Sequence, residues 1–266
     1  MRRKDGQGKI KSPRNHPKFD GGFRELNPLP KSHHPTQNIV SFFTGCGGLE
    51  LGMLGGFSFL NRRFRRLPFK TVAAFDVLSD AVETYRLNIG DEIEKSDLST
   101  VDISQLPSSD IVTGGFPCQD FSSSGPKVGL NGKRGQLYTV IRDYIKTHKP
   151  KVFIAENVLY LMRLNGGKYL SQIISEFSAC GYRVAVWNIN CPDFGLPQSR
   201  KRIFIIGIRN DLSGFPQKPI GEFATNNIPI DYALADLVNI NDETVPNQSQ
   251  YFRSSRATSG GGQGDH

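Results

Sequence analysis

Asn38-Ile39-Val40-Ser41-Phe42-Phe43-Thr44-Gly45-Cys46-Gly47-Gly48 is the stretch that decides the fold. Residues 38–43 are β-branched or aromatic for the most part and read as a buried strand. The glycines at 45, 47 and 48 let the backbone turn sharply and approach a ligand closely. A short helix opens at about Gly48. Strand, glycine turn and helix together make the first half of a βαβ unit.

The same alternation continues outward. Residues 71–76 read as a second strand, and Ser79 or Asp80 can cap a helix running to Asn88. That helix turns Ala81, Val82 and Tyr85 to the core, with Leu78 as a further candidate. Residues 111–113 form the next strand. Residues 136–148 are helical by pattern, and Pro150 follows their end. Val152-Phe153-Ile154-Ala155 runs apolar without alternation up to Glu156, which suits a strand buried on both faces. A helix over 169–179 is stopped by Gly181. Residues 183–190 and 202–208 then read as a terminal hairpin. Strands alternating with helices predict an α/β architecture, a Rossmann-like, doubly wound, mostly parallel sheet.

Composition bounds the rest. The chain has 266 residues, of which 37% are hydrophobic, enough for one large domain with a real core. No apolar run approaches the ~20 residues of a membrane span, and the basic N-terminus lacks the apolar stretch of a signal peptide. The four cysteines, Cys46, Cys118, Cys180 and Cys191, make no Cys-x-x-Cys pair. With five histidines and no paired spacing, no metal site is expected. A reduced, intracellular protein is the simplest reading.

The net charge of +8 invites a nucleic-acid partner. Its distribution tempers that reading. Residues 1–40 hold nine Lys or Arg against Asp5, Asp20 and Glu25, which gives +6 of the total. Residues 1–36 lack apolar periodicity and read as a basic, disordered arm, either solvated or in contact with DNA. Residues 37–212 form the expected catalytic and cofactor-binding domain. Over 213–266 the pattern weakens, ending in the glycine-rich 259–264. A second basic cluster, Arg62, Arg63, Arg65, Arg66 and Lys70, falls between predicted elements and reads as an exposed loop.

Gly114-Gly115-Phe116-Pro117-Cys118-Gln119-Asp120-Phe121-Ser122 follows the strand at 111–113. Cys118 thus stands on a loop at a strand's C-terminal end, the edge where open α/β sheets bind ligands. A free cysteine is more often a buried apolar residue. Here its position makes it a candidate nucleophile, since the thiolate is the reactive form.

That loop resembles the catalytic loop of the DNA cytosine-5 methyltransferases, of the bacterial restriction-modification type. Phe43-Thr44-Gly45-Cys46-Gly47-Gly48-Leu49-Glu50-Leu51-Gly52 is similar to the family's cofactor loop. Glu156-Asn157-Val158 resembles its Glu-Asn-Val motif, and Gln198-Ser199-Arg200-Lys201-Arg202 its Gln-x-Arg-x-Arg motif. The motifs occur in the family's order over residues 38–210. The resemblance implies the S-adenosylmethionine-dependent methyltransferase fold, double-stranded DNA as partner, and base flipping, because the target carbon is inaccessible inside a stacked duplex. It also implies a bacterial cytoplasmic location, on nucleoid DNA.

The resemblance distributes roles residue by residue. Cys118 is the thiolate that adds to cytosine C6. Glu156 is the acid that stabilises charge arriving on the ring, and burial at a strand end raises its pKa. Pro117 belongs to the catalytic loop, and Asn157 orients it. Arg202 contacts cytosine O2, and Arg200 the phosphate of the flipped nucleotide. Gln119 and Ser122 lie beside the DNA. For S-adenosylmethionine, Gly45, Gly47 and Gly48 form the close-approach turn and Phe43 packs on the adenine face. Asp76 accepts from the ribose hydroxyls, although the family more often has Glu there. Asp97 accepts from the adenine amino group, and Leu137 is a further contact. The dinucleotide fingerprint G-x-G-x-x-G is not met, since Leu49 and Glu50 follow Gly48. A ligand without a pyrophosphate fits as well or better.

The resemblance stops after Arg202. A complete family member continues through a target-recognition region to a Gly-Asn segment that completes the cofactor pocket, and no such segment follows here. The chain is therefore expected to be truncated, with its sheet incomplete at the C-terminus, or one subunit of a split enzyme whose second chain supplies those motifs. Three other readings compete. One is an inactive cofactor- or DNA-binding remnant. Another is a tRNA cytosine methyltransferase, disfavoured because its later Cys-Phe-Thr motif is missing. The last is a nicotinamide dehydrogenase, which leaves Pro117-Cys118-Gln119 and 198–202 unexplained.

Overall fold

The computed structural model describes residues 35–59, 62–117 and 136–230. Of the expected arm over residues 1–36, residues 1–34 lie outside the described residues, as do Cys118, Gln119, Ser122 and the chain beyond 230. The elements, in chain order, are β1 (Gln37–Phe42), α1 (Gly48–Leu54), β2 (Ser58–Phe59), β3 (Arg62–Arg63), β4 (Phe69–Asp76), α2 (Ser79–Asn88), β5 (Ile93–Lys95), β6 (Ile111–Gly114), α3 (Tyr138–His148), β7 (Val152–Val158), α4 (Lys168–Ala179), β8 (Tyr182–Asn190) and β9 (Lys201–Arg209).

The main sheet has the order β5-β4-β1-β6-β7-β9-β8. β5 to β7 pair in parallel, and β9 and β8 add an antiparallel hairpin at one edge. β1 is central, so both its faces are covered. Val40 and Phe42 point to the face that packs α3 and α4, through Ile141, Tyr144, Ile145, Ile173 and Phe177. α2 closes a second cluster of Ala74, Val82, Tyr85 and Ile93. In α3 the buried Tyr138, Ile141, Tyr144 and Ile145 fall at the three- and four-residue spacing of one helical face.

Several expectations are corrected. Leu78 does not face the core: it is 64% exposed, and it, rather than Ser79 or Asp80, is the N-cap of α2, with no side-chain cap. The strand through Val152-Phe153-Ile154-Ala155 does alternate, with Phe153, Ala155 and Asn157 buried and their neighbours half-buried. Only one of its faces is fully covered. It also runs to Val158, so Glu156 sits within the strand and not at its end. The basic cluster at 62–70 is only partly a loop: Arg62 and Arg63 form β3, which pairs with β2 as a short hairpin, and Lys70 lies in β4, while Arg65 and Arg66 stand in the irregular segment between them. The three-residue strand β5 escaped the sequence reading because it has only one buried residue.

The edge hairpin depends on one close approach. Gly207 pairs with Phe153, whose ring lies where a Cβ on Gly207 would be, 2.0 Å away. That ring is fixed edge-on by Phe177 and Tyr182 at 4.8 and 5.4 Å between centroids. Gly207→Ala is therefore expected to lower stability by about 1–3 kcal/mol, the scale of core overpacking. Urea unfolding followed by circular dichroism checks it.

The chain contacts divide into two compact units, residues 1–191 with 200–220, and 192–199 with 221–266. In the described part of the smaller unit, Phe223 N–H donates to Asp193 O at 2.8 Å, and Ile228 is buried.

Candidate active site

The site is built where parallel strands end. β1 stops at Phe42, and Phe43 takes a left-handed conformation with φ 54°. Thr44 N–H then donates to Phe75 O at 3.1 Å, and Gly47 N–H to Thr44 O at 3.1 Å, which closes the glycine turn. Gly45 and Gly47 both have positive φ, the region that favours glycine. A Cβ on Gly47 would meet Tyr85 and Ile89 of α2 and its following turn within 2.8 Å, so the loop rests on that helix. Among the described residues, nothing lies within 4 Å of where a Cβ on Gly45 or Gly48 would be, so none of them covers the backbone there.

Asp76 ends β4 and is buried. Gly45 N–H donates to its Oδ2 at 2.8 Å, and Leu78 N–H to its Oδ1 at 2.9 Å. One carboxylate thus staples the glycine turn to the start of α2. It supplies the capping acceptor that α2 lacks from its own N-cap side chain. Asp97 lies nearby in the chain path, because Ser96 N–H donates to Asp76 O at 2.9 Å. Asp97 is exposed, and its Oδ1 accepts from the Ser99 hydroxyl and N–H at 2.7 and 3.0 Å. Those bonds hold its carboxyl below the usual carboxylate range. Phe43 and Leu137 are half-buried and pack against the main core.

Glu156 and Arg202 meet across the β7–β9 pair, with Arg202 Nε 2.9 Å from Glu156 Oε1. Arg202 is buried, and its Nη1 also donates to Lys201 O at 2.9 Å. Burial pushes the Glu156 carboxyl above its ordinary value, against the pull of Arg202 and then Arg200. Its side chain is still 27% open, but the surrounding protein outweighs that opening. The sign is that of a raised acid. Glu156 contributes most to stability below the ordinary carboxylate range, and the contribution is lost as pH rises through its raised value. Arg200 is half-buried, and its carbonyl accepts from Cys191 N–H at 2.8 Å.

Asn157 is buried, and its Nδ2 donates to Phe116 O at 2.9 Å while its Oδ1 accepts from Val158 N–H. It therefore fixes the backbone that leads into Pro117. Gly115 explains why a glycine is needed before it. A Cβ there would lie 3.3 Å from Glu156 Oε2 and 3.9 Å from Phe43 O. The turn after β1, the backbone at Gly115 and the Glu156 carboxyl thus converge. Cys118, Gln119 and Ser122 are outside the described residues. No group of His, Cys, Asp and Glu able to hold a metal occurs among the described residues. Nor is any described helix long and apolar enough to cross a membrane.

Sequence reasoning missed a buried polar group beneath this site. Ser41 and Thr113 are paired neighbours on β1 and β6 and share a face. Both are buried, and both hydroxyls donate to Glu50 Oε1, the Thr113 bond at 3.4 Å. Glu50, on the first turn of α1, has no exposed surface, and its Oε2 has no partner among the described residues. Three polar residues at matching strand and helix positions were the available signal.

A doubly wound sheet with a glycine turn after its first strand and an antiparallel edge hairpin is the methyltransferase version of the Rossmann-like fold. Solved structures share it. A putative DNA modification methyltransferase encoded within an Escherichia coli prophage matches 74% of this chain and 54% of its own, at TM-score 0.55 and 24% identity. The Entamoeba histolytica methyltransferase EhMeth matches 70% and 56%, at TM-score 0.55 and 22% identity.

Sequence comparison gives the family. The model of the C-5 cytosine-specific DNA methylases matches residues 37–259, and the chain belongs to that family. Type II methyltransferase M.NgoFVII of Neisseria gonorrhoeae is 38% identical over 225 residues, 77% of this chain and 57% of that protein. Type II methyltransferase M.BspRI of Lysinibacillus sphaericus is 36% identical over 192 residues, 66% and 45% respectively. The chain thus spans about half the length of these curated relatives.

Proposed function

We propose that residues 37–212 are the catalytic and cofactor-binding domain of a DNA cytosine-5 methyltransferase of restriction-modification type, working on nucleoid DNA in a bacterial cytoplasm. The observation that carries this reading is the Glu156–Arg202 pair at the ligand-binding edge of the sheet, joined through Asn157 to the backbone entering Pro117. The names of the bacterial relatives support it.

The residues present fit S-adenosylmethionine. Among the described residues none covers the Gly45 and Gly48 backbone, and Asp76 presents a buried carboxylate beside it whose oxygens keep lone pairs for ribose hydroxyls. Asp97, Phe43 and Leu137 line the adenine side, and Asp97 keeps Oδ2 for the adenine amino group. When bound, S-adenosylmethionine supplies an electrophilic methyl group.

The chain's own residues prepare the cytosine to take it. The Cys118 thiolate bonds to C6 and opens the C5–C6 double bond, which makes C5 nucleophilic. Glu156, whose pKa burial raises, takes up a proton and shares it with N3, which stabilises the charge displaced onto the ring. Arg202 holds O2. After C5 has gained its methyl group it gives its proton to solvent water, its C–H electrons reform the C5–C6 double bond, the Cys118–C6 bond breaks with its electrons returning to sulfur, and N3 gives its proton back to Glu156. Arg200, Gln119 and Ser122 hold the flipped nucleotide and the flanking DNA.

The test is tritiated methyl transfer to mixed-sequence duplex DNA, by the chain alone and with a supplied C-terminal part. Incorporation at C5 in either arm supports the proposal. Incorporation only in the second arm adds the split reading, in which a second chain completes the enzyme. Absence in both favours the inactive cofactor- or DNA-binding remnant.

The Glu156 role also predicts a titration. Arg202→Met removes the strongest charge that lowers the Glu156 pKa. Its carboxyl is expected to titrate at higher pH than in the unaltered protein, because the opposite charge in contact with it is gone. Carbon-detected NMR of the Glu side chains reads this without reference to activity.

A further inference from the structure

The basic hairpin β2–β3 lies at the edge of the sheet opposite the proposed active site. It precedes the start of β4, where Gln37 N–H donates to Pro68 O at 2.8 Å and Gln37 pairs with Phe69. Asp76 and Glu156 stand at or near the other ends of their strands. Lys70 is separated from Asp76 along β4 by about 20 Å, at ~3.3 Å per residue, a distance comparable to the width of a DNA duplex.

The hairpin is pinned rather than loose. Gly56 N–H donates to Phe64 O and Phe64 N–H to Phe57 O, at 2.9 and 2.8 Å. The Phe57 and Phe64 rings stack at 4.6 Å. Leu67 N–H ties its exit to Leu54 O at the end of α1, at 2.8 Å. On this frame Arg63 and Arg66 are exposed, as is Lys70. Residues 51–75 contain no Asp or Glu. The acids at the same edge are committed elsewhere: Asp110 pairs with Lys151 at 2.9 Å, and Asp211 with Arg209 at 2.7 Å.

We propose that Arg63, Arg66 and Lys70 form a second DNA-binding surface, which holds the phosphate backbone of a duplex segment other than the one at the active site. This rests on the reading of DNA as substrate. Guanidinium forks fit phosphate oxygens, and cations without acid partners gain most from counter-ion release. A duplex whose cytosine is at the C-terminal edge does not reach the hairpin without strong bending. The surface therefore engages a second segment and lets the protein pass directly from one DNA to another.

The experiment uses the full chain bound to a labelled duplex, with increasing unlabelled duplex as competitor. The dissociation rate is expected to rise with competitor concentration. In the Arg63→Gln/Arg66→Gln/Lys70→Gln variant it is expected to be independent of competitor. Arg63→Lys/Arg66→Lys, which keeps the charge, is expected to retain most of the competitor dependence. A competitor-independent rate in the unaltered chain, or an equal dependence in the Gln variant, overturns the inference while leaving DNA binding and the proposed function intact. Displacement from this surface by polyglutamate but not by duplex assigns it to an acidic protein and also overturns it. Failure of the unaltered chain to bind duplex at all overturns the proposed function as well.

Discussion

Cys118→Ser is expected to abolish methyl transfer while leaving S-adenosylmethionine binding within about 2-fold of the unaltered chain. The loss is on the order of 10⁶-fold, the scale on which removal of a nucleophile is felt in enzymes that use one. The physical reason is acidity. A thiol near its ordinary pKa of ~8.5 is a few per cent ionised at neutral pH, and a hydroxyl is not measurably ionised. Cytosine C5 alone is too weak a nucleophile to take the methyl group. Asp76→Asn separates from this by affecting binding first. An amide has one acceptor oxygen where the carboxylate has two, and one of the N–H donors, Gly45 or Leu78, then faces an NH₂. Loss of one or two charge-assisted bonds of ~1.5–3 kcal/mol each predicts cofactor affinity at least about 10-fold weaker. Single-turnover transfer and equilibrium binding of the cofactor, measured on both variants, check the pair. Full activity in Cys118→Ser defeats the covalent mechanism outright.

The parallel sheet was legible because its strands are apolar runs placed between helices with a clear face, and the glycine turn marks its first crossover. What was not legible was burial that depends on a partner strand. Val152-Phe153-Ile154-Ala155 carries no alternation in its own letters. Its half-open face is set by what packs on the sheet there, which the run itself does not encode. Leu78 shows the same limit from the other side. Its apolar character suited a core position, but Asp76 holds its N–H at the start of α2 and the side chain projects outward. At the site, the motif letters brought forward Glu156, Asn157 and Arg202, while their arrangement needed the strands. Glu156 and Arg202 are 46 positions apart and meet because β7 and β9 pair. Gly115 was legible as a glycine but not as the point where Glu156 and the Phe43 carbonyl crowd the backbone.

Glu50 is the clearest case of a residue whose importance lies in partners far away in sequence, and it carries the largest stability prediction. Glu50→Ala removes the acceptor of both the Ser41 and Thr113 hydroxyls, which stay buried between β1, β6 and α1. A buried polar group left unpaired costs ~1–3 kcal/mol, so two give about 2–6. The opposing term is relief from burying the carboxylate, whose Oε2 has no partner among the described residues. That relief is shared by any substitution that deletes the carboxylate, which suggests how to separate the two terms. Glu50→Leu combined with Ser41→Ala and Thr113→Val removes donors and acceptor together and fills the space with apolar groups. Such a replacement is near neutral or stabilising where the single deletion is not. Glu50→Ala is therefore expected to lose about 2–4 kcal/mol in urea unfolding, and the triple variant to recover most of it. The three residues stand beside the glycine turn, one at the penultimate position of β1 and one on the first turn of α1. If the polar cluster also holds that turn in register, the triple variant recovers stability without recovering S-adenosylmethionine affinity. If the cluster only fills the core, stability and affinity return together.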